Sequence, residues 1–164
     1  MAASDYKIEV SVSQQNLKLI RHDDEVVMDV AVSTATKGTG QVRDSEQTPL
    51  GRHVIRAKIG DGCPPDTVFV ARRPTGETFS EVLRGQQPDR DWILTRILWL
   101  SGLEPGHNRL GNVDTMRRYI YIHGAPDTDP MGKPGSHGCI RMRNPDIVKL
   151  FDLVSVGTPV DIVA

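Results

Sequence analysis

Polar and apolar residues alternate from the start of the chain. Tyr6, Ile8, Val10 and Val12 interleave with Lys7, Glu9, Ser11 and Ser13, the period-two pattern of a strand with one face in water. A second short run covers 17–20, after the turn-like Gln14-Gln15-Asn16. Val26, Met28, Val30 and Val32 form a third, after His22-Asp23-Asp24-Glu25. Links this tight favour antiparallel pairing, so the chain opens as a three-stranded meander. The alternation stops over 34–51, where Thr36-Lys37-Gly38-Thr39-Gly40 and Thr48-Pro49-Leu50-Gly51 are loop chemistry. A connection of that length is usually functional or mobile.

Strands are expected again over 52–59 and 67–72, followed by a polar, irregular stretch to residue 90 with a short helix near 80–84. Residues 93–100 fit neither period cleanly and stay open between strand and helix. Tyr119-Ile120-Tyr121-Ile122 is β-rich and delivers His123-Gly124 at its end. A Pro/Gly segment and Ser136-His137-Gly138-Cys139-Ile140-Arg141-Met142 precede a well-signalled helix. Asn144 suits its cap, Pro145 its first turn and Asp146 its positive end, and Ile147, Leu150, Phe151 and Val154 give it one apolar face. Residues 158–163 close the chain as a strand. The pattern predicts a single, mainly β domain over 1–164 with a late α-helix and long loops.

At 164 residues the chain is long enough for one core and too short for two ordinary ones. Lys and Arg total 20 against 21 acids, a net charge of −1. That balance lacks the basic excess that carries proteins onto nucleic acid or anionic membranes, so neither is an expected partner. No apolar run reaches transmembrane length, and Met1 to Val10 carry no export pattern. The chain as written is therefore expected in the cytoplasm, and in the periplasm or beyond only if a leader has been removed.

The chemistry concentrates between His123 and Arg141, which hold two of the five His and one of the two Cys. Gly138 beside Cys139 lets the backbone turn sharply and leaves room for a substrate carbonyl. A free thiol is barely ionised at neutral pH, and an imidazole that takes its proton removes that limit. His123 at a strand end can meet Cys139 if the loop between them returns the chain to its start. Backbone N–H groups of the Ser136–Cys139 turn are candidate oxyanion donors. Arg141, two residues beyond Cys139 in an extended segment, points to the same side and suits a substrate carboxylate. Core packing is an open alternative for Cys139 and the expectation for Cys63. His22, His53 and His107 read as surface or loop residues. A zinc site of His123, His137 and Cys139 would need a fourth ligand from His107 or an acid.

Ile122-His123-Gly124, the Pro/Gly loop and Ser136-His137-Gly138-Cys139-Ile140-Arg141 together resemble the signature of the L,D-transpeptidase catalytic domain family, the YkuD type. Thr48-Pro49-Leu50-Gly51 resembles that family's Thr-Pro-x-Gly element. The resemblance implies a small β-sandwich or flattened barrel with a mobile flap, and no metal or other cofactor. It implies Cys139 as nucleophile toward the bond between an L-centre and D-Ala in peptidoglycan stem peptides or soluble muropeptides. His123 would be the base, oriented by a nearby backbone carbonyl because residue 124 is Gly. Ser136, His137 and Gly138 would shape the turn and the oxyanion donors. Arg141, or Arg96 from the middle of the chain, would hold the D-Ala carboxylate, and carbapenems are expected inhibitors. With no leader, water is the expected acceptor, giving an L,D-carboxypeptidase of muropeptide recycling. Crosslinking with an amine acceptor is the alternative, and a catalytically idle wall-binding domain is the rival of another class.

Overall fold

A computed structural model describes residues 4–164. The expected meander is present as β1 (Tyr6–Ser11), β2 (Asn16–Arg21) and β3 (Val26–Ser33), antiparallel, with Ile8 opposite Leu19 and Leu17 opposite Val30. There follow β4 (Gly51–Ile59), β5 (Thr67–Val70), β6 (Arg73–Thr78), α1 (Glu81–Gln86), β7 (Ile93–Gly102), β8 (Tyr121–Gly124), β9 (Ile140–Met142), α2 (Asn144–Leu153) and β10 (Pro159–Val163). Neighbours run β4-β10-β1-β2-β3-β9-β8-β7, and β7 pairs back onto β4, so the sheet closes into a barrel. Closure removes the open edges that a sheet of this width would otherwise expose. The hairpin β5–β6 is an annex on β7 at Ile93 and Leu94, beyond the stretch that β4 covers.

Alternate positions supply the core. Ile8, Val10, Leu17, Leu19, Leu98, Leu100, Ile122 and Ile140 meet Ile147, Leu150 and Phe151 of α2, which packs against β7 and β8. Lys58 Nζ donates to the Val154 carbonyl at 2.8 Å and satisfies one of the acceptors left at the end of α2. At the other end the expectation for Asn144 fails. Arg143 holds the cap position without a side-chain hydrogen bond, and Asn144 is buried in the first turn.

Two strands depart from the pattern for opposite reasons. β6 is polar and largely exposed, so no buried face imprints an alternation on it. β7 is buried on both sides, so its apolar run hides the period of two. His53, expected at the surface, is fully buried on β4 between β10 and β7. Among the described residues no helix is long and apolar enough to cross a membrane.

Candidate active site

The site is made by a parallel pairing. β8 and β9 run side by side with Ile122 opposite Ile140 and His123 opposite Arg141. The chain between them is thus a crossover and not the hairpin-like return that the sequence suggests. It is held down along its length: Gly132 N donates to Val32 O, and Gly135 N and Ser136 N both donate to Thr34 O, each at 2.9 Å. The register sets Cys139 beside Tyr121, whose N–H donates to the Cys139 Sγ at 3.3 Å. The thiol in turn points its proton at the Tyr119 carbonyl, 3.4 Å away.

The turn before the thiol is fixed from both sides. Ser136 Oγ donates to the Cys139 carbonyl at 2.6 Å and accepts from Gly138 N at 3.2 Å. Thr48 Oγ1 donates to the Gly138 carbonyl at 2.9 Å while accepting from Ala35 N. Gly138 has φ +130°, and a Cβ there would stand 3.1 Å from Ile120 Cδ1 and 3.3 Å from the Gln47 carbonyl. Only glycine satisfies both conditions without a shift. Because the Gly138 N–H is engaged by Ser136, it is not a free oxyanion donor in this arrangement.

His123 follows Tyr121 by two residues on the same face of β8. It is 1% exposed. Its Nδ1 lies 2.6 Å from the Gly124 carbonyl, which can only accept, so the proton sits on Nδ1 and Nε2 carries a lone pair. Nε2 is buried with no hydrogen-bond partner among the described residues. His123 and Cys139 line one cleft of about 410 Å³. Burial lowers the His123 pKa below its ordinary 6.5, against the opposing pull of Asp91 and the Gly124 carbonyl. Burial also pushes the Cys139 thiol up to about 12; the Tyr121 N–H, Arg141 and Arg118 counter this and Asp91 adds to it. Part of Cys139 reaches solvent, but it packs against the buried Phe69, Ile97 and Tyr121. The resting pair is a neutral thiol beside a neutral imidazole.

The arginines are distributed differently from expectation. Arg141 does enter the cleft, but its guanidinium is matched by Asp91 at 3.1 Å and Asp129 at 3.7 Å. Arg96 is absent from the cleft. It shares parity with Leu98 and Leu100, the inward face of β7, and lies 5.5 Å over the Phe151 ring, donating to the carbonyls of Cys63 and Thr95. From β7, Ile93 lines the cleft, and Ile97 and Trp99 pack in the cluster that holds Tyr121 and Cys139. Two arginines that the sequence pattern does not single out are there instead. Arg118 donates to the carbonyls of Gly40 and Gln47 and to Ser45 Oγ, which ties down the loop bearing Thr48. Arg72 comes from the tip of the β5–β6 hairpin and donates to the Tyr121 hydroxyl at 2.9 Å. His137 is exposed and lines both the cleft and a neighbouring cavity of about 210 Å³.

Residues 5–162 match the L,D-transpeptidase catalytic domain family, YkuD. The chain belongs to this family. The Bacillus subtilis (strain 168) protein YqjB, an L,D-transpeptidase by name, is 46% identical over 43 residues, which is 26% of this chain and 24% of that one. Among solved structures, L,D-transpeptidase 3 from Mycobacterium tuberculosis with a faropenem-derived adduct superposes with a TM-score of 0.60 at 18% identity. The L,D-transpeptidase from Mycobacterium smegmatis gives 0.58 at 18%. These cover 98% and 99% of this chain and 60% of each of theirs, so the chain spans less than two thirds of their length. LdtMt1, with imipenem bound, gives 0.59 at 20%. At such identities the likeness shows the fold, and this L,D-transpeptidase domain is accordingly a mainly β, closed barrel-like sheet with one late helix.

Proposed function

We propose that this L,D-transpeptidase-family domain is a cysteine acyl-transfer enzyme acting on peptidoglycan stem tetrapeptides. The observation that carries the reading is His123: a buried imidazole with its tautomer fixed by Gly124 and a bare Nε2 in the cleft that holds Cys139. Such a nitrogen is a proton acceptor in search of a donor, and a thiol is the donor that the cleft offers.

In the first half-reaction Nε2 takes the thiol proton as Sγ bonds to the carbonyl carbon between the L-centre and D-Ala. The tetrahedral oxyanion faces the N–H groups of the turn, those of His137 and Cys139, since Gly138's is engaged by Ser136. The imidazolium then protonates the departing D-Ala amine, the C–N bond breaks, and a thioester remains. In the second half, water gives a proton to Nε2 and attacks the thioester carbonyl, the C–S bond breaks, and the imidazolium returns the proton to Sγ, releasing tripeptide and regenerating the free thiol. Water requires no site of its own, and Cys139 is open to solvent in part. Crosslinking has one observation in its favour: a second cavity adjoins the cleft and shares Arg118, Tyr119, Ile120 and His137 with it, which gives an acceptor peptide room beside Cys139. Its charge does not favour an ammonium, since Arg43, Arg117 and Arg118 outnumber Asp44 and Glu46 and Glu46 is paired with Lys37.

Mass spectrometry of the products from a disaccharide-tetrapeptide in heavy-oxygen water tests both. Hydrolysis gives tripeptide with label in the new carboxylate, plus free D-Ala; dimer as the dominant product reverses the choice of acceptor. The carbapenem-bound relatives support a further arm: a carbapenem adds its mass to the wild type and not to Cys139→Ser. Addition at Cys63 instead rejects the assignment of the nucleophile.

A further inference from the structure

Outside the catalytic pair, the cleft holds an uncompensated charge. The chain as a whole is nearly neutral, and Arg141, the arginine beside Cys139 in sequence, is balanced by Asp91 and Asp129. Arg118 has no ion pair among the described residues, but its guanidinium is occupied by Gly40, Ser45 and Gln47. Arg72 is neither paired nor occupied in this way. Among the described residues it makes one side-chain hydrogen bond, from Nη1 to the Tyr121 hydroxyl, and no ion pair. Its guanidinium stacks 4.9 Å from the Trp99 ring centroid and 4.7 Å from that of Tyr119. Arg56 adds a second positive charge on the same indole, 5.9 Å away.

The backbone under Arg72 is unusual too. Ala71 and Arg72 form the two-residue turn between Val70 and Arg73, with φ of +48° and +64°. Turns of that hand favour Asn-Gly because both central residues need positive φ. Here the disfavoured position carries a long cationic side chain, folded back over the cleft and clamped on two aromatic rings. Stacking holds the guanidinium plane and leaves its edge available, the geometry in which arginine grips a carboxylate with two parallel bonds. The same Tyr121 that receives Nη1 on its hydroxyl gives its N–H to Cys139 Sγ. One tyrosine therefore links Arg72 to the sulfur, and both side chains line the same cleft, so a peptide acylating Cys139 can place a nearby carboxylate toward Arg72.

We propose that Arg72 is the binding site for a free carboxylate of the donor peptide, so that the substrates of this enzyme are stem peptides bearing an unamidated carboxylate next to the scissile bond. The inference rests on the acyl-transfer reading above and names its specificity. Two carboxylates satisfy the chemistry: the terminal one of the D-residue, and one on the side chain of the third residue when that residue is a diamino dicarboxylic acid. Both would replace solvent at a cation that has no ion pair among the described residues. A basic third residue, by contrast, would bring a second positive charge to Arg72.

Equilibrium binding to the full chain carrying Cys139→Ala separates these cases without turnover. Three tetrapeptides are titrated by calorimetry: the free acid, the terminal carboxamide, and the third-residue side-chain carboxamide. Arg72→Ala in the same background should weaken the free acid about 10- to 100-fold, the size of a hydrogen bond to a charged group. At least one amide should bind as weakly as that and be indifferent to Arg72→Ala, because the interaction has already been removed. Which amide behaves so identifies the carboxylate. Arg72→Lys should recover part of the loss through charge alone. Equal losses for all three peptides, no loss for any, or no binding of any overturns the proposal. Turnover of the free acid by the unmodified protein, measured alongside, tests the enzymatic reading separately.

Discussion

Cys139 and His123 are both neutral at rest, and that decides how the site responds to pH. A thiol held at about 12 is not a thiolate waiting for substrate, so in the acyl-transfer reading proposed above the proton leaves Sγ during attack and Nε2 has to be empty to receive it. Burial lowers the His123 pKa, so its acid form appears only below 6.5. We expect kcat/KM to be flat from neutral to mildly alkaline pH and to fall on the acid side with a midpoint below 6.5. His123→Ala should lower turnover by about 10² to 10⁴ and replace the plateau by a rise toward high pH, where hydroxide ionises the thiol unaided. A plateau that survives in the variant, or an acid limb above 6.5, would reject this account. The two residues are singled out in the sequence by the resemblance of Ile122-His123-Gly124 and Ser136-His137-Gly138-Cys139-Ile140-Arg141 to the family signature, since the small neighbours alone leave core packing open for Cys139. Arg72 and Asp91 are not legible, since only the pairing of β5 and β8 with β7 brings them to Cys139. Arg96 is misread for a related reason: its parity on β7 can be counted only once Leu98 and Leu100 are known to face the core.

At the scale of elements, β8 acts less as a strand than as a mount for a ring and a carbonyl. Its Gly124 accepts from His123 and has no room to be anything larger. A Cβ there would fall on the Asn144 amide oxygen and 2.6 Å from the Leu94 carbonyl of β7. Asn144 is itself fixed, accepting from Thr95 Oγ1 at 2.6 Å and donating to the Ala125 carbonyl at 2.9 Å. Gly124→Ala should therefore push β8 from β7 and tilt the carbonyl that holds His123. Overpacking of this kind costs about 1–3 kcal/mol of stability, while a displacement of about 1 Å at the base costs about 10² in rate. Urea unfolding and steady-state kinetics on one preparation would read both, and wild-type activity in a folded Gly124→Ala protein would dismiss the argument. Amphipathic elements are the ones whose pattern survives in sequence: β1 to β3, β10 and α2 each bury one face. β6, with no buried face, and β7, with two, leave no period to read. Asn144 passes for a helix cap because caps and buried amides use the same residue; only its bonds to Thr95 and Ala125 under Gly124 tell them apart.

The whole molecule depends on one seam. β4 closes the barrel between β10 and β7, and His53 sits in it fully buried, its Nδ1–H donating to the Gly51 carbonyl and its Nε2 paired with Thr115 Oγ1, both at 2.9 Å. Burial lowers its pKa from 6.5 to about 4, outweighing the Gly51 carbonyl and Glu104, which favour the charged form. The unfolded chain binds a proton at this residue near pH 6.5 and the folded one only near 4. Stability is therefore complete above 6.5 and drains as pH falls between those values. The shift is worth about 3 kcal/mol at about 1.4 kcal/mol per unit. His123, shifted the same way, adds to the loss below 6.5. The carboxylates held low by their partners start from 3.8 or 4.5 and act further down, and Asp66, raised from 3.8 by burial, opposes them weakly there. Urea midpoints should thus decline steadily from pH 7 to pH 4.5. His53→Gln, whatever its own cost, should unfold with a shallower dependence on pH across that interval, because one of the two titrating groups has gone. An unchanged slope would mean that the seam tolerates a charged imidazole, and that the acid sensitivity of the barrel lies with its carboxylates.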